Sequence, residues 1–458
     1  MTRPDPKKRK SSGRAWITPL APDAAVARAI ALLQQNKDDE AMRLLQSVLA
    51  RQPNHVDALH FLGVAEHRRG RSEQGLALLD QAIASVPDHP DLHSNRGNLL
   101  KALGRLEQAE AAYSRALDLE PLHVNALSNL GTILQEQGQL ERAVELLSCA
   151  VELEPNHFEA QRSLGIALRR TKRWDAAIVA FENALRLRPG DGDTCLKLGT
   201  SYYAVGQVEK ASAVYRRWIE HDPLHPMPRH LLAGCTGEAV PTRASDEFVR
   251  SSFESFAEHF DQSLQRLEYK APQLIGEAIA EHASAGAGLR VLDAGCGTGL
   301  CGPQLRAYAR LLVGVDLSPA MLEQARQRAL YDELFTAELT AYLERSPSEF
   351  DLIACADTLC YFGELERVAR AFANALDTGG LLVFSVERSA AEDAPDGFRI
   401  HPHGRYSHTE DYLRRVLSDA GFHLLAISAV ELRREAGLWV LGWVVSARRE
   451  THSVLATS

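Results

Sequence analysis

A chain of 458 residues is long enough for two or three domains, each with a core of its own. A hydrophobic share of 45% and a charged share of 24% exclude a disordered polymer or a chain dominated by membrane spans, and the formal charge of −9 gives no field that gathers DNA or RNA. The seven cysteines, at 149, 195, 235, 296, 301, 355 and 360, form no C-x-x-C pair; neither a metal site nor a disulfide framework is expected, and a reducing cytoplasm suits them.

The first residues carry Arg3, Lys7, Lys8, Arg9, Lys10 and Arg14 against Asp5, so a basic, disordered tail is expected over 1–20. Pro19, Pro22, Asp23 and Arg28 then interrupt any signal-peptide core or membrane span. From there the sequence is periodic. Prolines at 53, 87, 121, 155, 189 and 223 recur every 34 residues. Glycines at 63, 97, 131, 165 and 199 keep that register, as do the small residues Ala41, Gly75, Ala109, Ala143, Ala177 and Ala211 and the bulky Leu45, Leu79, Tyr113, Leu147, Phe181 and Tyr215. This pattern resembles the tetratricopeptide repeat, a helical hairpin that buries its apolar face only by stacking on the next copy. Six copies over 21–224 imply an all-α solenoid that holds a protein or extended peptide. Asn95, Asn98 and Asn129 are the candidates for gripping it, because a carboxamide both donates and accepts.

A cap and linker are expected over 225–245, with Leu231 and Leu232 closing the last apolar face and Pro241 in the linker. Phe253, Phe256, Phe260 and Leu264 follow at helical spacing, a stripe suited to core packing or to a lid.

Alternating strands and helices over 246–450 predict a mostly parallel sheet covered on both faces, before a short tail at 451–458. Its organising stretch is 288–302, an apolar strand ending in Asp293 and followed by Gly295, Gly297 and Gly299. Alternating glycines leave bare backbone for a flat ligand. An acid at the strand end repels a pyrophosphate and tolerates a sulfonium with a free amine. A second strand over 311–315 ends in Asp316, beside Leu317, and a carboxylate there suits ribose hydroxyls. The (D/E)-x-G-x-G-x-G pattern resembles motif I of class I S-adenosylmethionine-dependent methyltransferases. That resemblance implies a Rossmann-like, mostly parallel seven-stranded sheet whose last strand is antiparallel, and S-adenosylmethionine as cofactor.

A third strand over 333–339 carries Glu338 at its tip, where the resemblance implies a contact with adenine, with Leu339 against the ring. A fourth, 350–356, runs through Ala356 into Asp357, at the place that faces the methyl group. The sequence Ala-Asp-Thr-Leu there lacks the (N/D)-P-P-(Y/F) of adenine and amide methyltransferases and the Pro-Cys of cytosine enzymes, which counts against a DNA base. Helices over 363–376 and 409–419 and strands over 381–386, 422–430 and 438–447 complete the sheet. Within the loop 399–408, His408 is expected as a general base, Tyr406 as its alternate, and Arg405 as a clamp for a carboxylate acceptor.

The whole chain resembles bacterial methyltransferases fused to tetratricopeptide repeats. It reads as a cytoplasmic S-adenosylmethionine-dependent methyltransferase whose repeats recruit a protein or peptide. A small-molecule methyltransferase with repeats docking a partner, a scaffold with a degenerate domain, and an NAD-dependent oxidoreductase are the alternatives; no nucleic acid or membrane partner is expected.

Overall fold

The computed structural model describes residues 20–450 apart from Ser255 and Ala436; the remainder of the expected tails at 1–20 and 451–458 lies outside the described residues. The chain divides into two compact units, one ending at Arg188 and the next beginning at Pro189.

The first unit is five helical hairpins, from Pro22–Gln34 with Asp38–Leu49 to Phe158–Arg170 with Trp174–Leu187. The 34-residue period has a direct steric cause. A Cβ on Gly97 would lie 2.5 Å from the ring of Tyr113, one on Gly131 2.7 Å from Leu147, and one on Gly165 2.6 Å from Phe181. Each bulky side chain of a second helix therefore lies flat on the glycine of the first, and all three are fully buried. Burying such a side chain stabilises by roughly 1.5–3 kcal/mol, and the repeat supplies this contact once per hairpin. A second periodic device escaped the sequence reading. His55, His123 and His157 stand just before first helices, and each Nδ1 accepts the backbone N–H three residues on. These side chains cap orphan amides as Ser or Asp usually does.

The second unit begins with the sixth hairpin, Gly192–Ala204 and Val208–His221, followed by Pro226–Thr236. These helices pack on the sheet domain itself. Tyr203 and His403 meet edge to face at 6.5 Å, His230 Nε2 lies 2.8 Å from the Gly404 carbonyl, and Gly234 lies against the His401 carbonyl so closely that a Cβ would reach 2.3 Å. The stretch expected as a linker is likewise fixed: Ala244 N–H donates to Tyr361 O, and Gly363 N–H to Thr242 O.

The strands are β1 (Leu289–Ala294), β2 (Ala309–Asp316), β3 (Glu333–Thr336), β4 (Phe350–Cys355), β5 (Leu376–Arg388), β6 (Phe398–Ile400), β7 (Tyr406–His408), β8 (Phe422–Glu435) and β9 (Leu438–Arg449). β3, β2, β1, β4 and β5 run parallel in that order; β9 pairs antiparallel with β5, and β8 antiparallel with β9. These are the seven strands expected, with the antiparallel one in the expected class. Two short strands are additional: β7 extends the end of β5 in parallel, and β6 folds back on it, so the segment read as a loop is a small ribbon. β3 is also shorter than expected, ending at Thr336, because Glu338 starts a helix at Leu339. Successive residues of β1 serve opposite faces, as strand geometry requires. Leu292 joins the core beneath the helices Glu366–Ala375 and Glu410–Asp419, and Val291 the core beneath Ala271–Ala280.

Candidate functional site

The carboxyl ends of β1, β2 and β4 open into a cleft of about 1010 Å³, including the part open to solvent. Open parallel sheets bind ligands at this edge. Asp293, Gly295, Gly297, Asp316, Leu317, Glu338, Leu339, Ala356 and Asp357 all line it.

The glycine loop explains its own composition at two points. Gly295 sits at φ +77°, and a Cβ there would strike Thr358 at 2.1 Å. Gly297, at φ +53°, has nothing within 4 Å of where a Cβ would stand, so its bare backbone faces open cleft. Gly299 departs from expectation. It does not line the cleft, because the Tyr331 ring lies 2.9 Å from its Cβ position; it serves packing behind the loop.

Four carboxylates surround the cleft, each held differently. Asp293 is 1% exposed and accepts the Tyr331 hydroxyl at 2.6 Å; burial pushes its pKa up to about 7, with Tyr331 opposing and Asp316 adding to the rise. Asp316 accepts the Gly297 N–H at 2.9 Å and the Ser318 N–H at 2.8 Å, so it braces the glycine loop; burial raises its pKa and these amides oppose the rise. Glu338 caps the helix Leu339–Leu343 through the Thr340 and Ala341 N–H groups at 3.1 and 2.8 Å. Asp357 occupies a left-handed backbone conformation, φ +50°, and accepts from Arg433 at 2.6 Å. A carboxylate offers about four lone-pair directions, so each acid keeps acceptor capacity toward the cleft.

The aromatic stripe supplies cover: Phe253, Phe260, Leu264 and Tyr269 line the cleft, while Phe256 is 38% exposed. Asp261 of the helix Phe260–Arg266 accepts the Thr298 hydroxyl at 2.5 Å and pairs with Arg328, so the cover is latched to the glycine loop. Sequence reasoning missed this latch, since Asp261, Thr298 and Arg328 share no spacing.

The three residues expected to act on the acceptor do not line the cleft. His408 is fully buried, its Nε2 3.1 Å from the Gly363 carbonyl, and burial pushes its pKa down to about 4. Such an imidazole is enclosed by β7 packing and cannot reach an acceptor. The Tyr406 hydroxyl donates to the Pro241 carbonyl at 2.7 Å. Arg405 is engaged by Glu387 at 2.6 Å and by both oxygens of Glu435 at 2.5 and 2.7 Å, leaving no fork for a substrate. The expectation failed for one reason: β6 and β7 turn the loop into a ribbon whose polar side chains point into the domain.

Arg433, which sequence reasoning overlooked, is 4% exposed and pairs with Asp357, Glu387 and Glu435. Burial would raise Glu387, but Arg405 and Arg433 hold it down at about 2.

In the repeat unit, the expected asparagine ladder is a connected chain. Asn95 Nδ2 lies 2.6 Å from His60 Nε2, Asn98 Nδ2 donates to Asn95 Oδ1 at 3.3 Å, and Asn98 Oδ1 accepts from Asn129 at 2.9 Å and from Tyr113 at 2.8 Å. All three asparagines are half-buried.

Helical hairpins of 34-residue period are followed by an open α/β sheet with a glycine loop and strand-end acids. A family profile described as "Methyltransferase domain" matches residues 291–380, and tetratricopeptide repeat profiles match 32–99, 88–156, 129–192 and 168–235. The chain thus carries tetratricopeptide repeats over its helical hairpins and matches a methyltransferase domain over part of its sheet. It is 30% identical over 163 residues to the malonyl-acyl-carrier-protein O-methyltransferase of Erwinia pyrifoliae, covering 34% of this chain and 57% of that one. It is 29% identical over 159 residues to the ubiquinone biosynthesis O-methyltransferase of Xylella fastidiosa, covering 31% and 64%. The chain thus spans about three fifths of the length of these two curated relatives. Among solved structures it is similar to PilW, a type IV pilus biogenesis factor, at TM-score 0.42 and 18% identity, covering 46% of this chain and 98% of that one.

Proposed function

We propose that the chain is an S-adenosylmethionine-dependent methyltransferase whose repeats recruit a protein or peptide. The observation that carries this reading is the convergence of Asp293, Asp316, Glu338 and the open backbone of Gly297 on one cleft. S-adenosylmethionine supplies a methyl group on positively charged sulfur, which an acceptor's lone pair takes up in line. The residues here need only bind and align, and positioning contributes on the order of 7–11 kcal/mol in favourable cases. Asp316 suits the ribose hydroxyls, Glu338 and Leu339 the adenine, and Asp293 the cationic end, while the Phe253 and Phe260 cover excludes water.

Asn95, Asn98 and Asn129 are held half-buried by bonds among themselves, and the carboxamide capacity those bonds leave over is what a peptide backbone would meet in the array. The seven cysteines are all free, in keeping with a cytoplasmic enzyme. No described helix is long and apolar enough to cross a membrane.

Thermal unfolding with S-adenosylmethionine, S-adenosylhomocysteine and NAD tests the cofactor. A ligand at a hundredfold excess over its Kd adds roughly 2.7 kcal/mol, so the adenosyl ligands should raise Tm for wild type and fail to do so for Asp316→Ala. A shift from NAD alone would replace the reading with an oxidoreductase.

A further inference from the structure

We infer that the methyl acceptor is a nitrogen base that enters as a cation, received by Asp357 in the cleft that Tyr269 and Tyr361 also line; this rests on the cofactor reading above. Three features of the cleft lead to it.

The first is a carboxylate left over once the cofactor is placed. Asp293, Asp316 and Glu338 lie at the ends of β1 and β2 and just beyond β3, whereas Asp357 lies past β4 beside Thr358. S-adenosylmethionine brings two positive centres and one negative, a net charge of one that Asp293 balances, while Asp316 and Glu338 serve the ribose and the adenine. Asp357 then faces whatever approaches the methyl group.

The second is the lack of a cation to hold an anionic acceptor. Among the described residues that line the cleft, Arg243 is the one with a cationic side chain, and its Nη1 already donates to Asp246 at 2.8 Å and to the Ala244 carbonyl at 3.1 Å. Arg405, the expected carboxylate clamp, is turned away into Glu387 and Glu435. An acceptor carboxylate would thus meet four acids against one arginine that is already paired with Asp246, which is costly in a covered cleft.

The third is the mounting of Asp357 itself. Its left-handed φ of +50° is unusual for a residue with a side chain. Arg433 holds Oδ2 at 2.6 Å and the Ser385 hydroxyl lies 3.3 Å from Oδ1, so the carboxylate is fixed without being saturated. Tyr269 and Tyr361 line the same cleft as Asp357. A cleft that carries both a carboxylate and aromatic rings attracts an ammonium or guanidinium through charge and ring faces.

The step balances simply. The ammonium proton passes to Asp357 and on to solvent; the freed nitrogen lone pair forms the N–C bond as the C–S bond breaks, its electron pair staying on sulfur. Burial raises the pKa of Asp357 against the pull of Arg433, which favours that brief acceptance. Arg433 is a positioning residue, acting only through Asp357.

Calorimetric titration of the full chain tests this with S-adenosylhomocysteine and sinefungin, the analogue carrying an amine where the methyl group sits. Sinefungin should bind about tenfold tighter than S-adenosylhomocysteine, a difference of about 1.4 kcal/mol, and Asp357→Asn should bring the two affinities together. Equal affinities in wild type, or an advantage that survives in Asp357→Asn, would overturn the inference while leaving the cofactor reading intact; failure of both ligands to bind would remove both. Because the variant could unfold, wild-type protein saturated with S-adenosylhomocysteine is also melted with n-butylamine, butyrate or phenol. A rise in Tm from the amine alone supports the inference; a rise from butyrate or phenol, or from none, contradicts it.

Discussion

The repeat array and the sheet domain are both well packed, yet they hold themselves together by opposite means. In the array, stability is distributed: the same contact of ring or leucine upon glycine recurs at Gly97, Gly131 and Gly165. In the sheet domain part of it is concentrated, because the buried Arg433 bridges three carboxylates, one of them in the cleft, with Arg405 sharing two of them. Distributed contacts tolerate loss locally. A buried charge network does not.

The largest expected effect follows from that contrast. Arg433→Met leaves Asp357, Glu387 and Glu435 facing one another with Arg405 alone, and removal of one partner from such a network costs about 3–5 kcal/mol. Urea unfolding should show that loss in the sheet domain's transition, with weakened binding of S-adenosylhomocysteine in the same protein. Leu147→Ala removes a fully buried side chain from the array and should cost about 2–5 kcal/mol there. Its binding of S-adenosylhomocysteine should match wild type; a joint loss would break the distinction between the regions.

Smaller effects sharpen it. Asp261→Asn weakens the latch between the aromatic cover and the glycine loop, so stopped-flow dissociation of S-adenosylhomocysteine should quicken several-fold with little change in Tm. The pH dependence of His408 is smaller again. Its folded pKa, about 4, lies below the ordinary 6.5, so the unfolded chain takes up the proton first. The stability His408 contributes is complete above about pH 6.5 and is lost as pH falls toward 4. The Tm difference between wild type and His408→Gln should therefore be widest near pH 8 and close toward pH 4.5.

What could be read in the sequence follows the same division. Gly97 with Tyr113 and Gly165 with Phe181 were legible because each pair repeats at one period, so several copies testify to one contact. The glycine loop and the strand-end acids Asp293 and Asp316 were legible because strand, turn and helix are local. Arg433 and Asp357 stand 76 residues apart, and Asp261 and Arg328 67. No spacing rule joins such partners; only strand pairing brings β8 to β5 through β9. His408 and Arg405 misled for the related reason that chemistry-bearing residues in a polar stretch look free until the β6–β7 ribbon folds them inward.

The central claim is that an adenosyl ligand occupies the cleft beside Gly297, and hydrogen exchange read by mass spectrometry locates it most directly. With S-adenosylhomocysteine bound, amides at 293–301, 316–322, 337–343 and 249–272 should gain protection while those at 22–187 exchange as before. Unchanged exchange in the glycine loop, or protection confined to the helical hairpins, would contradict the account.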